Sequence, residues 1–422
     1  MATQLYFSRD TKVFIEFDGA VWECPVLDGF SFSQGNNTSE ITLSEMESTA
    51  GASRRGRRAF NDSLAPGEWS FATYVRPFAS AGSGTGAADG AAETHAVEEV
   101  LWALMAGADN YDGTTFDFDR GGNNVITPAV GSSVVNFDQS NKSTLGTCNI
   151  YFVMGDANRT VMKLKDAVVN EAGIDFEIDG IATINWSGQC SEVVDFTGST
   201  IEQNALPTDG DTTIDGSAIA VGDVWLDADD SHRLYVLTNV GAGTEAATAH
   251  PTNEGITDTS NFIRNRLTTL AVDGSGTTGL QSSYDLTLTG GNVTISNNIT
   301  YIVPEEIGLV NIPVGHVTGT RSVSGSFTCY MAVNTAARDG SGNTSRDLFE
   351  DLRALTTTVT NSVGLTFKIG GGSGNRLEIA CATAHLEIPT HSIDDVIALE
   401  TNFMALPQTI DDTDEVVLTY KV

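Results

Sequence analysis

Four arginines, Arg54, Arg55, Arg57 and Arg58, crowd into five positions of a chain with 55 acidic and 22 basic residues. A guanidinium is a planar fork that bonds a carboxylate or a phosphate through two parallel N–H donors. The cluster therefore calls for a dense anionic partner, either carboxylates or nucleic acid. A formal net charge of −33 over 422 residues argues against general nucleic-acid binding, which needs a basic footprint. It also disfavours an anionic membrane surface as partner, and it would make an enclosed surface repel polyanions.

Other chemistry-bearing residues form no reactive constellation. The six histidines are scattered, and the closest approach to a cluster is CATAHLEIPTH with Cys381, His385 and His391. Read as a strand, it places Ala380, Ala382, Ala384, Leu386 and Ile388 on an apolar face, with Cys381 and His385 two pleats apart on the other. That spacing is too wide for easy chelation of zinc. The acidic clusters near Asp209, from Asp227 to Asp230 and from Asp411 to Asp414 lack calcium-loop spacing. The glycine runs Gly82 to Gly86 and Gly370 to Gly374 lack the lysine of a phosphate loop. No GxSxG or HExxH occurs. The expectation is a chain with no catalytic residues, no metal and no cofactor. The five cysteines form no CxxC pair and read as reduced thiols of a cytoplasmic product. The N-terminal residues contain no signal-peptide run, and no segment reaches the length of a membrane span.

The elements that would carry these residues are mostly strands. Glycine, at 43 residues, is interleaved with Thr, Asn, Asp and Ser, the profile of many short strands joined by turns. In TKVFIEFDGAVWECPV, Val13, Ile15 and Phe17 share one parity before an Asp18-Gly19 turn, a hairpin pattern. SEITLSEM alternates as well. In GEWSFATYV, Trp69, Phe71, Thr73 and Val75 share one face. One stretch is helical: Val97, Val100, Leu101, Leu104 and Met105 follow a 3.6-residue period, with Thr94 placed to cap the start and Gly107 to end it.

The later part of the chain repeats the earlier. GEWSFATYV returns as SGSFTCYMA, matching Phe71 with Phe327, and VEEVLWAL returns as LFEDLRAL. Asn158-Arg159 then aligns with Asn375-Arg376, and Asn185-Trp186 with Asn402-Phe403. The common order implies an internal duplication, with a period far too long for a solenoid. The fold class expected is mainly β: two tandem sandwich or barrel modules, each with one flanking helix, plus a small inserted β module. The modules are placed at 1–192 and 282–410, an acidic accessory insertion at 193–281, and a C-terminal strand or arm at 411–422. Trp69, Phe71, Val97, Leu101 and Leu104 are core candidates of the first module; Phe327, Leu348, Leu352 and Leu355 are those of the second. The insertion carries little core, and its hairpin GDVWLDADDSHRLYVL offers Trp225 and Tyr235 as its aromatics.

The segment Ser39 to Phe78, most specifically from Arg54 onward, resembles the N-terminal part of tail tube proteins of long-tailed bacteriophages. The duplicated layout is similar to the type in which one chain holds two tube modules, so that a trimer imitates a hexameric ring. The resemblance covers about residues 1–192 and 282–410. It implies a structural virion protein assembled in the host cytoplasm, stacked in rings around a lumen through which genomic DNA passes without specific binding. Its partners would be further copies of itself and the terminator, distal tail and tape measure proteins, with no membrane contact. Arg54, Arg55, Arg57 and Arg58 fall where the family's stacking loop lies, which implies pairing with carboxylates of the adjacent ring.

Rival readings of the arginines are contact with DNA in the lumen and a solvated surface loop with no partner. The rival reading of the whole chain is a surface decoration or receptor-binding tail protein, supported by the insertion with Trp225 and Tyr235. A carbohydrate-active enzyme would need a paired-carboxylate cleft, and no pair stands out.

Overall fold

The computed structural model describes residues 5–40, 59–80, 92–118, 124–137, 143–241, 243–251, 253–304, 312–332, 343–355, 362–393, 395–409 and 412–422. Arg54, Arg55, Arg57 and Arg58 lie outside the described residues, as does most of SEITLSEM.

The chain is mainly β. It opens with β1 (Thr11–Phe17), β2 (Ala20–Glu23), β3 (Ser31–Ser33), β4 (Asn36–Glu40), β5 (Ala59–Leu64), β6 (Gly67–Tyr74), β7 (Pro77–Ala79) and β8 (Thr94–Ala96), then helix α1 (Glu99–Ala106). The short strands β9 (Asn110–Tyr111), β10 (Phe116–Asp117), β11 (Ile126–Ala129) and β12 (Ser132–Asn136) precede β13 (Cys148–Met154), β14 (Thr160–Glu177), β15 (Thr183–Cys190) and β16 (Glu192–Asp195). A separate sheet holds β17 (Thr200–Gln203), β18 (Val224–Asp227), β19 (Arg233–Asn239) and β20 (Ala246–Ala247). There follow β21 (Thr269–Asp273), β22 (Leu288–Ser296), β23 (Thr300–Ile302), β24 (Gly315–Val317), β25 (Ser322–Tyr330) and helix α2 (Ser345–Ala354). The chain closes with β26 (Val363–Ile369), β27 (Arg376–Leu386), β28 (Thr390–Ile393), β29 (Ile397–Leu406) and β30 (Val417–Lys421).

The first hairpin forms because Asp18 and Gly19 both adopt positive φ, at 41° and 81°, the geometry of a two-residue turn whose twist matches the flanking strands. Phe17 then lies opposite Ala20. In β6 the odd residues Trp69, Phe71 and Thr73 are buried and the even ones less so, the period of a half-covered strand. Helix α1 is buried on every side, including Glu99 and Trp102. It begins later than the sequence implies. Thr94 is not its cap but part of β8, hydrogen-bonded to β7, and Glu98 occupies the N-cap position. Gly107 ends the helix in the left-handed conformation. Helix α2 is amphipathic, with Leu348 and Leu352 buried and a Thr344/Asp347 capping box at its start. Of the core candidates, Trp69, Phe71, Val97, Leu101, Leu104, Phe327, Leu348 and Leu352 are buried, and Leu355 is partly buried against them.

The two halves share one pairing scheme. β1 pairs β13, β13 pairs β14, β14 pairs β15, β15 pairs β6 and β6 pairs β3. In the second half β21 pairs β26, β26 pairs β27, β27 pairs β29, β29 pairs β25 and β25 pairs β22. Even the irregularities repeat. Cys148 faces Ala167 while Ile150 faces Leu164, one extra residue in β14. Val363 faces Ala384 while Leu365 faces Cys381, one extra residue in β27. Aligning Asn158-Arg159 with Asn375-Arg376 carries Leu164 onto Cys381 and Ala167 onto Ala384, so both bulges fall at the same place. On β29 the sequence match is two residues out. Phe71 faces Trp186, but Phe327 faces Thr401, not Phe403. A two-residue shift keeps every side chain on its face, so the alternation pattern does not reveal it.

The bulge also overturns the parity read in CATAHLEIPTH. Cys381 points into the core, whereas Ala382 and His385 are exposed, and the apolar inward set continues through Ala384 and Leu386. Cys381 and His385 therefore do not share a face. All five cysteines are free and buried.

The stretch 193–281 is more firmly built than its composition suggests. Val224, Leu226, Leu234 and Val236 form a buried layer against Phe14, Val21, Tyr151, Val153 and Val161 of the large sheet. On the other face Ile201, Ile219, Trp225 and Leu237 make a second small core. At its two ends β16 and β21 belong to the large sheet. Arg76 anchors it further. Its guanidinium donates to the carbonyls of Gly255 (2.6 Å), Ile256 (3.1 Å) and Asp258 (2.8 Å) and to Asn261 Oδ1 (3.0 Å). The C-terminal β30 is inserted between β12 and β27 of its own chain, tying the two halves together.

Candidate functional site

β14 also joins the halves, through its ladder with β22. At the bulge its two parts separate in role and in charge. Residues 162–165 pair β16 and carry Lys163 and Lys165, with the Lys163 ammonium over the Tyr151 and Phe196 rings at 5.2 and 5.0 Å. Residues 171–177 run between β15 and β22 and carry Glu171, Asp175 and Glu177.

Through the β14–β22 ladder the strands β3, β6, β15, β14, β22, β25 and β29 become one continuous antiparallel sheet. One face packs on the core through Trp69, Phe71, Ile174, Trp186, Val293, Phe327 and Phe403. Among the described residues the other face is left uncovered. It holds small polar residues, the carboxylates Glu68, Glu171, Asp175, Glu177 and Glu400, and the larger Tyr330 and Met404. With β14 taken from Glu171 to Glu177, none of these strands contains a lysine or an arginine. The polar groups pair along the surface: Ser31 with Ser70 at 2.9 Å, Asn185 Nδ2 to Asp175 at 2.9 Å and Asn402 Nδ2 to Glu387 at 2.9 Å. Such a surface gives a polyanion no cation to displace counterions, and so no affinity from that source.

The sheet has two open ends. β3 pairs only β6, and β28 pairs only β29, among the described residues. Every residue of β28 is exposed, and Ile388, Ile393, Val396 and Ile397 stand in solvent around it. An open apolar edge is a template for adding another strand.

The aromatics of the insertion, Trp225 and Tyr235, pack on each other. Trp225 stacks on Tyr235 with centroids 4.9 Å apart, and its Nε1 donates to the Gln203 carbonyl at 3.0 Å. Of the glycine runs, Gly370, Gly371 and Gly374 adopt positive φ in the turn between β26 and β27. Among the acidic clusters, Asp211 and Asp215 accept hydrogen bonds from Thr208, Thr213 and Ser217 of their own turns. No group of three or more His, Cys, Asp or Glu side chains among the described residues is placed to hold a metal ion. No helix among them is long and apolar enough to cross a membrane.

Sequence reasoning missed a buried polar chain. Trp102 Nε1 donates to Tyr420 OH at 2.7 Å, and that hydroxyl donates to Glu98 Oε1 at 2.6 Å. Burial pushes the Glu98 carboxyl up to about 7, against the lowering effect of the Tyr420 bond. Contacts across so many intervening residues leave no local signal in the sequence.

No protein-family model matches the chain. The chain is 27% identical to the tail tube protein pb6 of Escherichia phage T5, over 97% of its own length and 75% of that protein. It is thus similar, nearly end to end, to a tail tube protein of a long-tailed phage, the family that the segment from Ser39 to Phe78 resembles.

Proposed function

We propose that this chain is a structural, non-enzymatic subunit of a phage tail tube, located in the virion tail and assembled in the host cytoplasm. Two tandem modules, about 1–192 and 282–410, each contribute one segment of sheet. Copies join edge to edge, three to a ring, so that six modules enclose a channel, and rings stack into the tube. Closure removes the open edges at β3 and β28. Tail terminator, distal tail and tape measure proteins are its further partners.

The observation that carries this reading is the continuous sheet whose uncovered face bears carboxylates and no lysine or arginine, open at both ends. Turned inward, that face lets DNA pass without holding it. The stretch between β4 and β5 contains Arg54, Arg55, Arg57 and Arg58, and in this reading they pair with carboxylates of the next ring. Each exposed pair contributes about 0–1 kcal/mol, and repetition around a ring adds them. Serine at all four positions should leave rings but shorten or abolish tubes. Long tubes of normal number would remove the arginines from stacking.

Negative-stain electron microscopy of the purified chain tests the main claim. Stacked rings or tubes are expected. Isolated particles at every concentration tried would favour a surface decoration or receptor-binding role.

A further inference from the structure

We infer that β28 of one copy pairs antiparallel with β3 of a second copy in one fixed register, Ile393 opposite Phe30, and that these two side chains form the hydrophobic seat of the joint. The inference rests on the tube reading above and adds the contact that closes the ring.

The register follows from the junction already present inside the chain. There β14 lies beside β22, with Gly173 opposite Thr294, Ile174 opposite Val293, Asp175 opposite Asn292 and Phe176 opposite Gly291. The repeat that superposes the two bulges carries Phe176 onto Ile393 and Asp175 onto Ser392. On the other side, Ser31 faces Ser70 and Asn292 faces Ser326, and Ser70 matches Ser326 in the repeat. Ser31 is therefore the counterpart of Asn292, and Phe30 that of Gly291. Between copies, Ser392 then faces Ser31, His391 faces Phe32 and Thr390 faces Ser33.

The side chains at this joint are complementary in size. Within the chain a large Phe176 meets a glycine, and a Cβ at Gly291 would lie 2.8 Å from the Phe176 ring. Phe176 reaches over Phe367, with centroids 5.5 Å apart. At the counterpart position Phe30 already lies over Phe152, centroids 5.3 Å apart, so the partner strand must bring something smaller than phenylalanine. It brings Ile393, which is 81% exposed in the single chain, whereas Phe176 is 1% exposed. Exposure of this kind on a strand edge is a cost unless the edge is covered.

Cysteine pairs read the register. Directly opposed strand residues lie about 4.5–5.5 Å apart at Cα, within disulfide reach, and a two-residue displacement takes them beyond it. Ser31→Cys with Ser392→Cys should give a ladder of cross-linked dimers and trimers on oxidation, and Ser33→Cys with Ser392→Cys should give none. The native cysteines are buried and do not compete. A ladder from the second pair alone, or rings with no ladder from either, would overturn the register and leave the tube reading standing. Absence of both ladder and rings would overturn the two together. Ile393→Asp should abolish rings without moving the unfolding midpoint of the monomer. Wild-type assembly by that variant would refute the seat.

Discussion

Phe176 crosses from one half of the chain to the other and lies 5.5 Å, ring to ring, from Phe367, with Gly291 leaving the space between strands that it needs. Both rings are buried. The junction is thus an interior, packed contact rather than a linker, and the two halves present a single sheet. Four predictions follow from this and related contacts.

Phe176→Ala should destabilise the chain by about 3–5 kcal/mol, the usual cost of removing a buried phenylalanine. Urea denaturation followed by tryptophan fluorescence measures it. Because the ring belongs to both cores, a single cooperative transition is expected to shift as a whole. A shift of one half alone would show that the halves unfold independently.

Arg76→Met keeps the length of the side chain and removes every donor. The carbonyl of Gly255 then loses its partner in a buried place, and those of Ile256 and Asp258 in a part-buried one. The expected loss is roughly 2–5 kcal/mol, since hydrogen bonds to a charged group are broken and buried acceptors are stranded. Residues 253–262 should exchange amide hydrogens faster. Unchanged protection there would show that Arg76 does not hold the segment.

Glu98 supplies a pH dependence. Its folded-state pKa, at about 7, is raised from the ordinary 4.5 by burial. The folded chain therefore binds the proton more tightly than the unfolded one. The resulting stabilisation is complete below about pH 4.5 and is lost as pH rises through 7. Compared with Glu98→Gln, the wild-type advantage should fall by up to about 1.4 kcal/mol per pH unit across that window. His250 acts in the opposite sense, because burial lowers it to about 3 and its neutral form is the folded one. Referring each measurement to the Gln variant cancels that contribution. A constant difference between the two proteins from pH 4.5 to 7 would refute the assignment.

Deleting residues 200–260 should cause aggregation rather than leave a tidy two-module chain. The deletion uncovers Phe14, Val21, Tyr151, Val153 and Val161 and removes the carbonyls that Arg76 binds. Size-exclusion chromatography decides the matter, and a soluble monomer of near-normal stability would contradict it.

Much of this was already in the residues. Alternation in β6, the positive-φ turn at Asp18-Gly19 and the helical period around Leu101 are local, because each depends on backbone and burial preferences over a few positions. The net charge, the repeat of Phe71 in Phe327 and the alignment of Asn158-Arg159 with Asn375-Arg376 are also properties of the string alone. Other features depend on what lies across the sheet. The extra residue in β27 sends Cys381 inward and His385 outward, and no periodicity announces a bulge before its partner strand is known. The two-residue displacement of β29 is invisible for the complementary reason, since a shift by a full pleat leaves the pattern of faces unchanged. The covering of β1 and β13 by the insertion, and the bond from Tyr420 to Glu98, join residues far apart in the chain. Residue types thus determined which faces are apolar and where the chain turns. Tertiary packing decided which of those faces meet, because pairing between distant strands is set by the whole sheet and not by any segment of it.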